Sequence, residues 1–297
     1  MATLVQYLKS QDVESSLMEI FLAFEKAVKE IAKAINFSDG GYAGSQNASG
    51  EEQLALDILS DQILEKAFKK TEKVYLVASE EKEEAIILNE NGQYSVAYDP
   101  LDGSSLVNVN FAVGTILGVF KFKEFLGKTP KEMSAAAFAV YGPRTTIVLS
   151  IGNGTHEFTL RHSEFVMTRE NLKIKENTKI FAPGNLKAAI TENWYRNILK
   201  YWLDSAYKLR YSGGMVPDIN HILVKGEGIF AYPGTKKEPD GKLRLLFECG
   251  PMAYLIENAR GAACDGKISI LDKQISSIHQ RTPIFIGSKA EVERCKM

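Results

Sequence analysis

The residues in this sequence best suited to chemistry form one short run, Asp99-Pro100-Leu101-Asp102-Gly103-Ser104-Ser105, directly after the alternating stretch 94–98. Its carboxylates are the kind of ligand that Mg²⁺ prefers, and Mg²⁺ commonly joins a few carboxylates to a substrate phosphate. Gly103, Ser104 and Ser105 supply backbone N–H groups and hydroxyls that suit a phosphate oxygen. The alternative is an ordinary β-turn, in which Asp and Ser cap nearby backbone groups. The run by itself leaves both interpretations open.

The proline at position 100 adds a prediction about the backbone of this run. Proline has no N–H to donate to a sheet ladder, so we expect the strand containing residues 94–98 to leave its sheet at Asp99. The chain would then fold back and bring Asp102 beside Asp99. Both carboxylates would lie at the end of a strand.

Further carboxylates lie where predicted elements end or interrupt apolar runs: Asp57, Glu80, Glu81 and Glu248. Burying a carboxylate such as Asp57 is costly unless a cation or hydrogen-bond donors meet it. Each could instead face solvent at the edge of its element, and more charged residues follow Glu80-Glu81. If these groups converge on Asp99 and Asp102, their mutual repulsion requires a divalent cation to hold them together.

A second set of side chains, later in the chain, is cationic or phenolic: Arg210, Tyr211, Tyr232, Lys242 and Arg244. Arginine and lysine suit phosphate oxygens, arginine through its bidentate guanidinium group. An acidic metal site together with a separate cationic site fits a substrate that carries a phosphate at each end.

Composition narrows the possible functions. The 297 residues include 36 basic and 37 acidic side chains, so the net charge of -1 gives no field for general nucleic-acid or membrane binding. The 3 cysteines are far apart, which predicts reduced thiols in a cytoplasmic protein rather than a disulfide framework. The N-terminus lacks a signal-peptide pattern, and no stretch reaches the length of a membrane span.

The first part of the chain reads as helices followed by strands. Apolar residues three and four apart predict a long helix over about 13–35, and a second helix is expected over 51–70 after a glycine-rich loop. A strand is predicted at 74–78, and residues 83–88 are expected to form a hairpin with the strand from Tyr94. Strands continue to about residue 160, which indicates a mixed, largely antiparallel sheet flanked by helices.

From about residue 172 helices and strands alternate, and a helix is expected from Leu243 to about residue 258. We therefore predict an N-terminal metal-binding α+β domain over 1–175 and a C-terminal α/β substrate-binding domain over 176–297. The length of the chain allows either this division or one large core.

The combined motifs carry a resemblance to a known family. The Asp-Pro-Leu-Asp-Gly run after an acidic pair resembles the signature of the metal-dependent, lithium-sensitive sugar and inositol phosphatases. Other segments narrow this to class I fructose-1,6-bisphosphatases over about residues 13–290. These segments are Ser104-Ser105, Arg210-Tyr211-Ser212-Gly213-Gly214-Met215-Val216, residues 228–233, residues 236–249, Pro251-Met252-Ala253-Tyr254 and Ile278-His279-Gln280-Arg281.

The resemblance implies a layered αβαβα fold with two mixed sheets and flanking helices, and hydrolysis of the 1-phosphate of fructose 1,6-bisphosphate, as in gluconeogenesis. It implies about two or three Mg²⁺ ions per subunit, with Mn²⁺ as a substitute. It also implies a cytoplasmic homotetramer that binds a small sugar bisphosphate and neither nucleic acid nor a membrane. The alternatives are a sedoheptulose-1,7-bisphosphatase, a dual-specificity enzyme, or a non-catalytic sugar-phosphate sensor.

The resemblance also implies roles for individual residues. Asp57 and Glu81 would orient and deprotonate the attacking water, and Glu51 would assist closure of a loop. Arg210 would reach into the site of a neighbouring subunit, and Met215 would contact the sugar. The metal ligands would be Glu80, Glu81, Asp99, the carbonyl of Leu101, Asp102 and Glu248. The remaining substrate contacts would come from Asp102, Gly103, Ser104, Ser105, Asn185, Tyr211, Tyr232 and Lys242.

The sequence departs from the family pattern where AMP-inhibited members carry a Gly-Thr-Gly-Glu-Leu-Thr-like turn. The corresponding residues here are Lys9-Ser10-Gln11-Asp12-Val13-Glu14-Ser15-Ser16. The connection 120–135 is also short and lacks an arginine for the nucleotide. AMP control is therefore not expected.

Overall fold

A computed structural model describes residues 1–37, 42–46 and 52–296. The helices in these ranges are α1 Leu4–Ser10, α2 Ser15–Phe37, α3 Ala55–Lys69, α4 Ala188–Thr191, α5 Asn193–Asp204, α6 Met215–Lys225, α7 Gly250–Asn258 and α8 Lys289–Arg294. The strands are β1 Tyr42–Gln46, β2 Glu52–Leu54, β3 Val74–Ser79, β4 Ile86–Ile87, β5 Tyr94–Asp102, β6 Val113–Phe120, β7 Met133–Tyr141, β8 Thr145–Ser150, β9 His156–Arg161, β10 Glu164–Arg169, β11 Ile180–Pro183, β12 Lys208–Leu209, β13 Ile229–Tyr232, β14 Ala262–Cys264 and β15 Ile284–Gly287. Among the described residues, no helix is long and apolar enough to cross a membrane.

The main strands form two mixed sheets, as predicted. The first has eight strands in the order β10-β9-β8-β7-β6-β5-β3-β4, antiparallel except for the parallel pair β3 and β5. The second has five strands in the order β12-β11-β13-β15-β14, with β11 parallel to both of its neighbours. The separate pair β1 and β2 is antiparallel.

The helices and sheets alternate in five layers, in agreement with the predicted αβαβα arrangement. One apolar cluster joins α1, α2 and α3 to the first sheet. A second cluster places α6 and α7 between the two sheets, and a third packs α5 and α8 on the far face of the second sheet. Successive residues of β5 belong to different apolar clusters. Val96 and Tyr98 lie in the cluster with α3, whereas Ala97 lies in the cluster of the middle layer.

The predicted hairpin between residues 83–88 and the strand from Tyr94 is wrong. Strand β4 pairs with β3 through Val77 and Ile86, and β5 lies on the other edge of β3. The turn between β4 and β5 wraps around the start of β3, where a Cβ added at Gly92 would lie 2.3 Å from the backbone nitrogen of Tyr75. This close approach takes the chain across β3 and makes β3 and β5 parallel.

The prediction that the strand leaves its sheet at Asp99 is also wrong. Strand β5 continues to Asp102, and its register with β6 shifts between Asp99↔Ile116 and Asp102↔Gly114. A β-bulge accommodates the extra residue, so the missing N–H of Pro100 does not interrupt a regular ladder. The Thr115 hydroxyl donates to the Pro100 carbonyl at 2.8 Å and fixes the bulge.

The later part of the chain differs from prediction in one element that matters for the site. The helix expected from Leu243 begins as a π-helical turn over Leu245–Cys249 and becomes regular only in α7. Such turns widen a helix and commonly lie at functional sites. The first sheet ends at β10 and the second begins at β11, while α6 and α7 contact both, so the division at residue 175 stays a prediction.

Candidate active site

A cavity of about 420 Å³ lies where the β5 bulge, the turn after β3, the start of α6 and the π-helical turn meet. Predicted site residues from both halves of the chain line it together. The predicted residues in its wall are Asp57, Glu80, Glu81, Asp99, Leu101, Asp102, Gly103, Ser104, Ser105, Tyr211, Met215, Tyr232, Lys242 and Glu248.

The cavity holds a compact cluster of carboxylates. Single carboxylate oxygens of Asp99, Asp102 and Glu248 lie within 4.8 Å of one another, and all three residues are buried. Glu80 and Asp57 are buried beside them in the same wall. A set made only of buried oxygen donors fits a hard divalent cation.

The electrostatics of the cluster agree with this fit. Burial, followed by the neighbouring Glu80 carboxylate, raises the pKa of Asp99 well above its ordinary value. Burial likewise raises the pKa of Glu248 to about 8, and that of Asp102 to about 6. Without a cation, protons must therefore neutralise part of the cluster at neutral pH, and a divalent cation can replace them.

Backbone groups hold the two aspartates of the bulge in place. Asp99 accepts from the backbone N–H of Leu101 at 2.9 Å. Asp102 accepts from Val216 at 2.7 Å and Met215 at 3.4 Å, both N–H groups in the first turn of α6. N–H groups in the first turn of a helix have no partner within the helix, and they favour a carboxylate. Asp102 therefore links the bulge to the middle helical layer.

Arg244 differs from its predicted grouping with the phosphate-binding cations. Its side chain is buried, ion-paired to Glu80 through Nη1, and 3.9 Å from Glu248. Its backbone N–H donates to Glu248 at 2.6 Å. Arg244 has extended backbone just before the π-helical turn, and its side chain lies against the acidic cluster, where it offsets part of the negative charge.

The lining of the same cavity also includes cationic and phenolic groups. Lys242 and Tyr232 line the cavity together with Tyr211, which is 44% exposed. The loop before α6 is fixed by Asp218, which accepts from the backbone N–H of Ser212 at 2.9 Å. Burial raises the pKa of Asp218 to about 7.

Two of the described site residues predicted from the sequence lie outside this cavity wall, and a third predicted residue is not described. Arg210 is exposed, and its Nη1 donates to the carbonyl of Leu209 at 2.7 Å. The Asn185 amide donates to the Pro233 carbonyl at 2.7 Å, which supports the chain after β13. Glu51 lies outside the described residues.

The sequence-based prediction missed several residues of the wall. They are Gly213, Gly214, Phe230 and Leu243. The glycine pair was visible as part of a matched segment, but the two apolar residues gave no signal, since Phe230 read as an ordinary strand residue and Leu243 as an ordinary helix residue.

The fold and the site define a class: a layered α/β protein in which a carboxylate cluster suited to a divalent cation and several cationic groups line one cavity. Residues 3–170 match the family described as fructose-1-6-bisphosphatase, N-terminal domain, and residues 174–297 match the corresponding C-terminal domain. The chain belongs to the fructose-1,6-bisphosphatase family. A class 1 fructose-1,6-bisphosphatase of Geobacter metallireducens is 47% identical over 290 residues, covering 97% of this chain and 92% of the relative.

Solved structures agree with this assignment. The fructose-1,6-bisphosphatase of Leishmania major in its holo form has a TM-score of 0.95 and 33% identity, covering 99% of this chain and 97% of that one. A Toxoplasma gondii protein assigned as a sedoheptulose-1,7-bisphosphatase has a TM-score of 0.94 and 31% identity, covering 100% and 98%. The predicted resemblance, fold class and enzyme class are confirmed.

Proposed function

We propose that this protein hydrolyses the 1-phosphate of fructose 1,6-bisphosphate to give fructose 6-phosphate and phosphate. The observation that carries this proposal is that one cavity is lined both by the carboxylates of Asp99, Asp102 and Glu248 and by Lys242 and Tyr232. A bisphosphate offers one phosphate to the carboxylate cluster and its cations and the other to the lysine and tyrosine. The family assignment supports the same reaction.

We propose Mg²⁺, or Mn²⁺ in its place, as the cofactor, at about two or three ions per subunit. The ions would be held by Glu80, Glu81, Asp99, Asp102, Glu248 and the carbonyl of Leu101. When bound, such ions polarise the phosphoryl group and lower the pKa of water.

The remaining steps are carried by the chain's own groups. Asp57 and Glu81 orient the attacking water and accept its proton. Ser104, with the backbone N–H groups that follow Gly103, holds the phosphate to be cleaved. Catalysis of phosphoryl transfer is chiefly positioning and charge neutralisation, so these groups need to be held rigidly rather than to react covalently.

A phosphate-release assay tests the reaction. Metal-dependent release from fructose 1,6-bisphosphate is expected, at a higher kcat/KM than from sedoheptulose 1,7-bisphosphate, the substrate named for the Toxoplasma relative. The absence of metal-dependent release from either sugar would contradict the enzyme assignment, and a preference for the seven-carbon sugar would reverse the substrate assignment.

Lys242→Met is expected to raise KM by about 10-fold to 100-fold with a smaller change in kcat. A hydrogen bond to a charged group contributes about 1.5–3 kcal/mol, and here it binds the phosphate that does not react. The matched control is Lys237→Met on the same loop, because Lys237 is exposed and lies outside the cavity wall. Equal KM values for the two variants would remove Lys242 from the substrate site.

We propose a homotetramer in which Arg210 serves the site of a neighbouring subunit. In support, Arg210 lies outside its own cavity wall although the next residue, Tyr211, lines it. Large apolar side chains are exposed nearby on β12 and on the segment after β11, with Leu209 and Leu186 each 56% exposed. The predicted cytoplasmic location is carried as part of the same proposal.

Mixed oligomers test the role of Arg210. Arg210→Ala and Asp99→Asn subunits are each expected to be poorly active alone, whereas oligomers containing both should recover activity. Recovery is expected because an Arg210→Ala subunit keeps its own carboxylates and receives an intact arginine from its neighbour. Co-expression with two affinity tags, followed by kcat/KM of the doubly tagged species, provides the measurement. Activity no higher than the sum of the separate variants would place Arg210 in its own subunit's site or outside any site.

A further inference from the structure

Lys82 follows the candidate ligands Glu80 and Glu81 but lies outside the cavity wall. Its ammonium group points away from the cavity to α3, where Nζ lies 2.8 Å from an oxygen of Asp61 and also pairs with Glu65. The Lys82 side chain is 29% exposed, and that of Asp61 is 6% exposed. A carboxylate this buried requires a partner for its charge, so the Asp61 side chain is held where it can pair with Lys82.

Asp61 connects Lys82 to two other elements of the fold that carry carboxylates of the cluster. It lies one helical turn after Asp57 on α3, so both are on the same side of that helix. Its other oxygen accepts from the Tyr98 hydroxyl at 3.2 Å, and Tyr98 directly precedes Asp99 in β5. The Tyr98 carbonyl in turn accepts from the backbone N–H of Glu80 at 3.1 Å.

The backbone of Lys82 is connected through His279 to the π-helical turn, which carries Glu248. Nε2 of His279 donates to the Lys82 carbonyl at 2.8 Å. The His279 ring packs against Phe247, with ring centroids 5.3 Å apart, and Phe247 precedes Glu248 in the π-helical turn. The neighbouring Gln280 carbonyl accepts from the Leu245 N–H at 2.8 Å and fixes the start of that turn.

We propose that Lys82, through its ion pair with Asp61, is a positioning residue that sets the geometry of the divalent-cation site. The inference rests on the proposed function. The carboxylates are carried by four elements: α3, the turn after β3, β5 and the π-helical turn. The first three meet at this ion pair, and the π-helical turn is connected to the Lys82 carbonyl through His279. Such partners behind the ligands typically contribute about 10-fold to 100-fold in metal affinity or activity.

The test is a Mn²⁺ titration of the substrate-free protein, with free Mn²⁺ followed by electron paramagnetic resonance. Lys82→Met is expected to bind Mn²⁺ about 10-fold to 100-fold more weakly, with a lower kcat and little change in KM. Lys82→Arg keeps the charge and should restore most of the affinity. The matched control is Lys29→Met, since Lys29 is 27% exposed and pairs with the 11% exposed Glu25 on α2, and it should bind Mn²⁺ normally.

The opposite result has a distinct signature. If Lys82 acted only as a nearby positive charge, its removal would strengthen cation binding by relieving repulsion. Unchanged or stronger Mn²⁺ binding by Lys82→Met, with normal thermal unfolding, overturns the positioning role while leaving the proposed function intact. If Lys82→Met does not fold, Lys82→Gln gives the same test, because it keeps a hydrogen-bond donor for Asp61 but loses the charge. An unsubstituted protein that binds no Mn²⁺ overturns the proposed function itself.

Discussion

Asp99→Asn is expected to lower kcat by about 1,000-fold or more without destabilising the metal-free protein. Asparagine keeps the oxygen that accepts from the Leu101 N–H, so the bulge should persist. Burial and the neighbouring Glu80 carboxylate raise the pKa of Asp99 well above its ordinary value, so a negative charge at this position is unfavourable in the metal-free protein. The amide has the same shape and no charge to bury, yet it cannot supply the anionic ligand that the reaction needs.

The measurements are kcat at saturating Mg²⁺ and the unfolding midpoint in chelator. Asp272→Asn is a suitable control, because Asp272 is an exposed aspartate that pairs with Lys131 away from the cavity. We expect Asp99→Asn to unfold at or above the midpoint of the unsubstituted protein. A variant that retained normal kcat would exclude Asp99 as a ligand, and a large fall in stability would show that the carboxylate is ionised in the fold.

The carboxylate cluster was predictable from sequence because buried acids are conspicuous. Asp57 interrupts an apolar stripe, and Glu248 lies in an apolar run, and both line the cavity as predicted. Arg244 was placed with the wrong group because sequence shows charge but not direction. Its side chain pairs with Glu80, which is far away in the chain and cannot be identified as its partner from any local pattern.

In the fold too, features determined by a local pattern were predictable, whereas features determined by tertiary contacts were not. Long periodic elements such as α2 were predictable within two residues at each end, since a wide apolar face determines them. The β5 bulge was not, because proline excludes a regular ladder but not a bulged one. The parallel pairing of β3 and β5 depends on the close passage of Gly92, which is a tertiary contact. Roles that act through a second residue, such as that of Lys82, were likewise invisible, because Asp61 and His279 are far from it in sequence.

The affinity for Mg²⁺ is expected to rise about tenfold per pH unit where one proton is displaced, chiefly between about pH 6 and pH 8. Burial raises the pKa of Asp102 to about 6 and that of Glu248 to about 8.

A carboxyl group whose pKa is raised by folding favours the folded state at low pH and loses that contribution as the pH rises through the raised value. The metal-free protein should therefore lose stability from about pH 4 to pH 8, and Mg²⁺ should restore more of it at pH 8 than at pH 6.

Calorimetric titration of Mg²⁺ in buffers of different protonation enthalpy measures the displaced protons directly. At pH 7 proton release is expected, because Glu248 is mainly protonated before the cation binds. Asp99→Asn provides the blank, since it should bind too weakly to give a heat signal. An affinity that does not change with pH, together with no proton release, would mean that Arg244 alone compensates Glu80 and Glu248 and that both acids are ionised before the cation enters.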